Sequence, residues 1–283
     1  MTKRPQPIPY QGSKRQIADQ ILPYIPRGVR CLYEPFAGSA ALTIAAADRG
    51  LAEAYHINDV LGPLVQIWEG ILHTPHQLAE AYQALWEAQL HDPKAFYLAT
   101  RHTFNHDHDP AKLLYLLARC VKNAVRFNAS GEFNQSADHR RKGRRPDRMR
   151  HEILAAHALL RGKTTTSVDD YAKVLQRAEP TDFVYMDPPY AGTSYGHDTR
   201  YYQSLTLDPF VESLRYLLER GIPFLVSFDG RTGERTYGPG LPKQLGLTQV
   251  EIDAGVSSQA TLNGVRARTF ESLYASPNLL QAK

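Results

Sequence analysis

One stretch, residues 29–59, restricts the fold more than any other part of the chain. It begins VRCLYEPFAGSAALTIAAADRG and ends EAYHIND, and its pattern predicts a strand, a tight turn, a helix and a second strand. Two strands joined by a helix, with small residues at the first turn, are typical of a parallel Rossmann-type sheet. The chain is therefore predicted to be an α/β protein.

The rest of the chain indicates a sheet that is interrupted by a helical segment. Residues 61–127 read as mostly helical, and strand-like runs return only from residue 182 onwards. A chain of 283 residues can bury one large core plus a smaller inserted domain. We expect a catalytic domain formed by residues 1–60 and 165–283, with an inserted, mostly helical target-recognition domain over residues 61–164.

Composition excludes several classes of protein. Cys31 and Cys120 are the only cysteines, which rules out a disulfide framework and favours a reducing, cytoplasmic location. No apolar run reaches the length of a membrane span, so we expect no membrane association. The net charge of +4 says little by itself, but residues 119–150 carry ten Lys or Arg against three acids, a local net of +7.

This basic segment has two interpretations: a disordered charged loop, or a surface that contacts nucleic-acid phosphates. Aromatic and amide residues precede it, which favours the second interpretation. Each of its central basic residues could contact a phosphate or read a guanine. They are Arg140, Arg141, Lys142, Arg144 and Arg145.

The turn EPFAGSA would lie at the carboxyl edge of the sheet, where nucleotide-like ligands bind. Gly38 would let a ligand approach the backbone, and Phe36 could form the floor of a pocket. The three-glycine fingerprint of dinucleotide sites and the GK[ST] of triphosphate sites are absent. S-adenosylmethionine, a cofactor without phosphates, therefore fits better than NAD or a nucleoside triphosphate, and an ordinary structural turn is the alternative.

Two more side chains are expected near that edge. Asp59 ends the second strand and could accept hydrogen bonds from the two ribose hydroxyls of a cofactor. Capping of the following helix is its alternative role. Lys14, in the loop YQGSK, could hold a carboxylate such as the methionine end of the cofactor, although this loop could equally be a surface turn.

The run DFVYMDPPY brings an acid, two prolines and a tyrosine to the same edge. Proline fixes φ at about −65° and has no backbone hydrogen, so the Asp187 carboxylate and nearby carbonyls form a cluster of acceptors. Two acceptors on a stiff backbone suit an exocyclic amine, because hydrogen bonds from both its hydrogens make the nitrogen more nucleophilic. Tyr190 could stack on an aromatic base. The expected catalytic residues are Asp187, Pro188, Pro189 and Tyr190.

Four motifs in this order, YQGSK, EPFAG, RFNASGEFN and DPPY, resemble those of the Dam-like class of N6-adenine DNA methyltransferases. The sequence of cofactor motifs, target-recognition region and catalytic motif is similar to the α arrangement of that family. The resemblance implies a Rossmann-like, S-adenosylmethionine-dependent enzyme that methylates adenine N6 in duplex DNA after base flipping. It also implies a role in restriction–modification or related DNA marking.

The resemblance assigns roles to single positions as well. Asp187 and the Pro188 carbonyl would hold the target amine while Tyr190 stacks on the flipped base. Ala40 replaces a glycine that is common in the family's turn, and we expect cofactor binding to survive because alanine is small. Implied cofactor contacts are Tyr10, Lys14, Glu34, Phe36, Gly38, Asp59 and Asp187. Implied DNA contacts are Arg126, Asn128, Gly131, Phe133 and Asn134.

Partners and remaining segments complete the expectations. The enzyme is expected to act as a monomer, with a cognate restriction endonuclease as a candidate partner. The continuation QSADHRRKGRRP differs from that of GATC-reading members, so no recognition sequence can be assigned.

Residues 191–204 are expected to form a loop that closes on the extruded base. His102 and His106 have a spacing that zinc ligands use, but a polar loop before a helix explains them better, and no metal is expected.

Other functions stay open at this point. An N4-cytosine enzyme more often carries serine at the position of Asp187, and RNA or protein glutamine methyltransferases more often carry asparagine there. A DNA-binding protein with a vestigial cofactor site is disfavoured by Lys14, Asp59 and Asp187. An oxidoreductase is disfavoured because the glycine fingerprint is missing.

Overall fold

The computed structural model describes residues 4–189, 205–232, 235–236, 240–256 and 268–280. Tyr190 and the predicted closing loop, residues 191–204, lie outside the described residues.

Eight strands of the described residues form one mixed sheet, and the predicted Rossmann-like architecture is confirmed. The strands are β1 (Val29–Glu34), β2 (Ala52–Asn58), β3 (Thr164–Ser167), β4 (Phe183–Met186), β5 (Phe224–Thr232), β6 (Arg235–Thr236), β7 (Thr248–Val256) and β8 (Arg268–Ala275). Their order is β3-β2-β1-β4-β5-β8-β7, with β6 paired to β5. Neighbours from β3 to β5 pair in parallel, whereas β8 is antiparallel to both β5 and β7.

Five of the described α-helices lie between β2 and β3, and the others precede or follow the remaining strands. The helices are α1 (Ala18–Ile21), α2 (Ala41–Asp48), α3 (Gly62–His73), α4 (Pro75–Ala88), α5 (Pro93–Asp107), α6 (Pro110–Arg119), α7 (Pro146–Leu160), α8 (Tyr171–Leu175), α9 (Leu207–Glu219) and α10 (Pro277–Leu280). In α2 the run 42–47 is buried throughout, because its alanines let the helix approach the sheet closely. The helices of the predicted insert share the core of the sheet: Trp68, Tyr115 and Ile153 belong to one buried cluster with Leu32. The division into two domains stays a prediction.

The sequence did not indicate β3, because its residues TTTS are polar and offer no apolar alternation. His56 secures this edge strand: its ring nitrogens hydrogen-bond Thr165 Oγ1 and Ser167 Oγ over 2.8 and 3.0 Å. Burial lowers the pKa of His56 to about 4, so the imidazole is neutral near pH 7. Parallel pairing of β3 with β2 carries the chain to Asp169 at the carboxyl edge of the sheet.

The histidines at 102 and 106 lie in α5, so the expected polar loop is wrong. This helix buries Tyr97, Thr100 and Phe104 along one face, which explains why the polar residues between them are helical. Within the described ranges, no group of three or more His, Cys, Asp or Glu side chains is placed to hold a metal ion. No described helix combines the length and apolar character of a membrane span.

Candidate functional site

A cavity of about 400 Å³ opens at the carboxyl edge of the parallel strands. Its walls come from the loops after β1 to β4 and from the N-terminal loop 10–14. Open α/β sheets bind ligands at this edge, and the volume is within the range of small-molecule sites. All the predicted cofactor residues line it: Tyr10, Lys14, Glu34, Phe36, Gly38, Asp59 and Asp187. Pro188 and Pro189 line it too.

The turn after β1 is held in place by three neighbouring side chains. Asn58 Nδ2 donates to the carbonyl of Pro35 over 2.9 Å, and Trp68 Nε1 donates to the carbonyl of Gly38 over 3.1 Å. The Gly38 N–H donates to Asp59 Oδ2 over 3.0 Å. Because both polar backbone groups of Gly38 are bonded within the protein, the turn keeps its shape without a ligand.

Ala40, at the end of this turn, has left-handed dihedral angles, φ 44° and ψ 44°. A residue with a β-carbon pays about 1–2 kcal/mol in that conformation, which glycine adopts freely. Its methyl group is fully buried. The alanine is therefore accommodated at an energetic cost, and its effect on cofactor binding stays a prediction.

Asp59 bonds to backbone N–H groups on both neighbouring loops, and its predicted contact with a cofactor ribose stays a prediction. Oδ1 accepts a hydrogen bond from the Leu61 N–H over 3.0 Å at the start of α3, while Oδ2 holds Gly38. Burial raises the pKa of Asp59 in spite of these backbone hydrogen bonds. The carboxylate thus orders the loop after β2 and still lines the cavity.

Lys14 forms ion pairs with two carboxylates. Its Nζ lies 2.7 Å from Glu271 Oε2 on β8 and 3.2 Å from Asp187 Oδ1, and only 8% of the lysine side chain is exposed. Burial alone would lower the pKa of Lys14, but the charges of Asp187 and Glu271 outweigh it and the net pKa is raised. The ammonium is therefore charged and paired with two carboxylates of the protein, and its contact with a cofactor carboxylate stays a prediction.

Glu34 is buried where β1 meets the turn. The N–H and hydroxyl of Thr43 both donate to its Oε2, over 3.0 and 2.6 Å. Burial, only partly offset by these hydrogen bonds, raises the pKa of Glu34 to about 7. This side chain can change its protonation state near neutral pH.

Asn58 and Tyr171 shape the cavity, although neither was predicted to. Asn58 Nδ2 also donates to the Asp169 carbonyl over 3.0 Å, while Oδ1 accepts from the Ser167 hydroxyl and the Asp169 N–H over 2.6 and 3.0 Å. The Tyr171 ring packs 5.1 Å from that of Phe36. An asparagine ending a strand and an acid-led helix start, DDYAKVL, are the signals that could have indicated them.

Acidic residues predominate among the charged side chains that line the cavity. Among the described lining residues, Lys14 is the one Lys or Arg, and the acids are Glu34, Asp59, Asp169, Asp170 and Asp187. Arg177 neutralises Asp169 from outside, with Nη2 2.5 Å from Oδ2. The remaining excess of carboxylates favours a ligand with positive charge.

The predicted recognition hairpin is a tight turn whose apolar side chains point inward. Asn128 Oδ1 accepts from the N–H groups of Ser130 and Glu132 over 3.0 and 2.9 Å. Phe133 is 1% exposed and packs edge-on against Phe104 and Phe127. The Phe133 ring therefore anchors the turn and is not presented to DNA, whereas Asn134 is exposed and Arg126 and Gly131 are partly exposed.

The basic segment displays some of its cations and buries others. The side chains of Arg140, Arg141 and Arg145 are 93%, 52% and 80% exposed, and Lys142 is exposed as well. Arg144 is partly buried and donates to the carbonyl of Gln6.

Arg119 was not predicted to contribute, but it hydrogen-bonds the backbone of this segment from its buried side. It is 2% exposed, and its Nη1 donates to the carbonyls of Asp138 and Arg141. Nothing in the sequence distinguishes this arginine from others in an amphipathic helix.

Comparison with known proteins gives one family and several relatives. The model of the family described as D12 class N6 adenine-specific DNA methyltransferase matches residues 10–236. The DNA N-6-adenine-methyltransferase of Escherichia phage P1 is 28% identical over 235 residues, which cover 78% of this chain and 29% of that protein. The DNA adenine methylase of Escherichia coli (strain K12) is 26% identical over 231 residues, covering 78% of this chain and 79% of that protein.

A third relative is the modification methylase StsI of Streptococcus sanguinis. It is 28% identical over 233 residues, which cover 78% of this chain and 35% of that protein. The chain thus spans about a third of the length of the phage and streptococcal proteins but most of the length of the Escherichia coli protein.

Proposed function

The chain belongs to the D12 class N6 adenine-specific DNA methyltransferases, and we propose that it transfers the methyl group of S-adenosylmethionine to N6 of adenine in double-stranded DNA. Family membership supports adenine over the alternative N4-cytosine target. One observation carries the proposal: Asp187 and Pro188 meet the turn after β1 and Asp59 around a single cavity. The proposed catalytic run and the proposed cofactor turn, about 150 residues apart in the sequence, line the same cavity, which supports a shared ligand site.

The described residues suit this cofactor. The cavity contains no cradle of lysines and arginines for a pyrophosphate, since Lys14 is the one Lys or Arg among its described lining residues. Its carboxylates suit a ligand that carries an ammonium and a sulfonium. Asp59 would accept hydrogen bonds from ribose hydroxyls, Phe36 and Tyr171 would pack on the adenine ring, and Glu34 would face the ammonium. When bound, S-adenosylmethionine supplies an electrophilic methyl group.

The protein's own part in the reaction is alignment and polarisation of the target amine. Asp187 and the Pro188 carbonyl would accept one hydrogen bond each from the two N6 hydrogens, which favours attack by the nitrogen lone pair. Holding the amine in line accounts for much of the rate, and no covalent enzyme intermediate is required. Lys14 would hold the Asp187 carboxylate in place. Tyr190 would stack on the flipped base.

The DNA would lie across the surface formed by residues 121–145. In this proposal Arg140, Arg141, Lys142 and Arg145 contact phosphates, and Asn134 and Arg126 would contact bases. We assign residues 61–164 to target recognition and the remainder to catalysis. A restriction endonuclease partner is proposed because one relative is named as a modification methylase. Monomeric action in a prokaryotic cytoplasm, beside the chromosome, completes the proposal.

The test is direct. Mixed-sequence duplex DNA is incubated with the protein and S-adenosylmethionine, and the digested nucleosides are analysed by mass spectrometry. N6-methyladenine is expected, and it should disappear with Asp187→Ala. Methylcytosine would overturn the base assignment, and turnover by the Asp187→Ala protein would refute the mechanism.

A further inference from the structure

Glu271 contacts the catalytic centre through a lysine. It lies on β8, and its Oε2 is 2.7 Å from Lys14 Nζ, whereas Asp187 Oδ1 is 3.2 Å from the same nitrogen. Of these three side chains, Lys14 and Asp187 are among the described residues that line the cavity, and Glu271 is not. A single ammonium is thus shared between a catalytic carboxylate and a carboxylate outside the cavity.

We propose that Glu271 is a positioning residue, which draws the Lys14 ammonium away from Asp187 and leaves that carboxylate able to accept the target amine. This inference rests on the proposed function. A charged donor binds a carboxylate about twice as strongly as a neutral one, so an ammonium paired with Asp187 alone would compete with adenine N6. Of the two contacts of the Lys14 ammonium, the one with Glu271 is shorter than the one with Asp187.

The titratable groups around Lys14 determine how the rate of methyl transfer depends on pH. Asp187 and Glu271 pair with Lys14, and Tyr185 of β4 also raises the pKa of Lys14. Glu34, at the end of β1, interacts electrostatically with Asp187. In the native protein the charges of these partners keep Lys14 protonated in spite of its burial. Removal of the Glu271 charge takes away one of the two carboxylates that raise the pKa of Lys14, so the ammonium of Glu271→Gln should lose its proton at a lower pH than in the native protein. The rate of the variant should then recover in part on the alkaline side, because the ammonium no longer competes for Asp187.

The experiment compares Glu271→Gln with Glu251→Gln, a matched substitution on neighbouring β7, where Glu251 pairs with Arg231 outside the cavity. Glu271→Gln should lower the single-turnover rate of methyl transfer to duplex DNA by about 10- to 100-fold, the worth of one charged hydrogen bond. Its affinity for S-adenosylmethionine, measured on the same sample by calorimetry, should stay within about three-fold, which also reports a folded site. Glu271→Asp should recover part of the rate, and Glu251→Gln should match the native protein.

Three results would count against the inference. A native rate in Glu271→Gln would overturn it while leaving the proposed function intact. A rate that falls equally at every pH, together with weaker cofactor binding, would indicate a structural role only. Native protein that leaves adenine unmethylated would overturn the proposed function and this inference with it.

Discussion

The ring of Tyr10 lies against Gly38 so closely that a β-carbon at residue 38 would stand 3.1 Å from two of its atoms. Gly38 also has φ 50°, a conformation that L-residues with side chains avoid. The N-terminal loop and the turn after β1 therefore touch through a position that accepts only glycine without adjustment, and both line the cavity.

Gly38→Ala should weaken cofactor binding by about ten-fold or more, because Tyr10 or the turn must move within the cavity. Gly50→Ala is the matched control: Gly50 has φ 62°, and nothing lies within 4 Å of an added β-carbon. Each substitution should cost about 1 kcal/mol in backbone strain, measured by thermal unfolding. Calorimetric titration with S-adenosylmethionine should separate them, and equal affinities would show that the contact with Tyr10 has no part in binding.

Much of the fold could be predicted because the central strands carry strong signals. β1 is buried except at Arg30 and ends on Glu34, directly before Pro35, whereas β4 is a buried apolar run that ends before Asp187 and Pro188. The prolines stop both strands. Parallel strands place such ends at one edge, so the cavity could be expected where it lies.

Other parts of the site could not be predicted because they depend on contacts between distant residues. β3 is polar, and its place at the sheet edge rests on hydrogen bonds to His56 and Asn58. Glu271 meets Lys14 across more than 250 positions of sequence, through the pairing of β8 with β5. Phe133 looked like an exposed hairpin residue, but the aromatic cluster that buries it is formed partly by α5.

Asn58→Leu tests whether the hydrogen bonds of buried Asn58 hold the loops at the carboxyl edge of the sheet together. Asn58 is 1% exposed and bonded to Pro35, Ser167 and Asp169, so leucine would leave buried backbone groups without partners. We expect a loss of about 3–5 kcal/mol in the free energy of unfolding, measured by urea denaturation. Asn278→Leu is the control, because Asn278 is exposed and makes two hydrogen bonds, one from its Nδ2 to the Gly221 carbonyl and one from the Ser276 hydroxyl to its Oδ1. Similar losses in both variants would contradict the proposed role of Asn58.

Glu34 makes stability depend on pH. Its pKa is raised by burial from 4.5 to about 7, so between these values the folded protein holds a proton that the unfolded chain releases. The contribution of Glu34 to stability should therefore fall as the pH rises through that window, by about 3 kcal/mol in total, and the loss is complete above about pH 7. His56, whose pKa is lowered to about 4, acts in the opposite direction, so Glu34→Gln is the reference: the stability of the native protein relative to this variant should fall between about pH 5 and about pH 8 in urea unfolding. Curves of equal slope for the two proteins would show that Glu34 ionises normally.

Arg140 tests the DNA surface, since 93% of its side chain is exposed. Arg140→Ala should weaken binding to all duplexes about equally and reduce the slope of log affinity against log salt concentration by about 1, because one phosphate contact is lost. Arg27→Ala is the control with the same charge change, because Arg27 precedes β1 at the opposite edge of the sheet from the cavity. Fluorescence anisotropy of labelled duplexes at several salt concentrations measures both. A loss of affinity confined to one DNA sequence would make Arg140 a base-reading residue. An equal loss of affinity in Arg27→Ala would show that Arg140 acts only through the net charge of the protein.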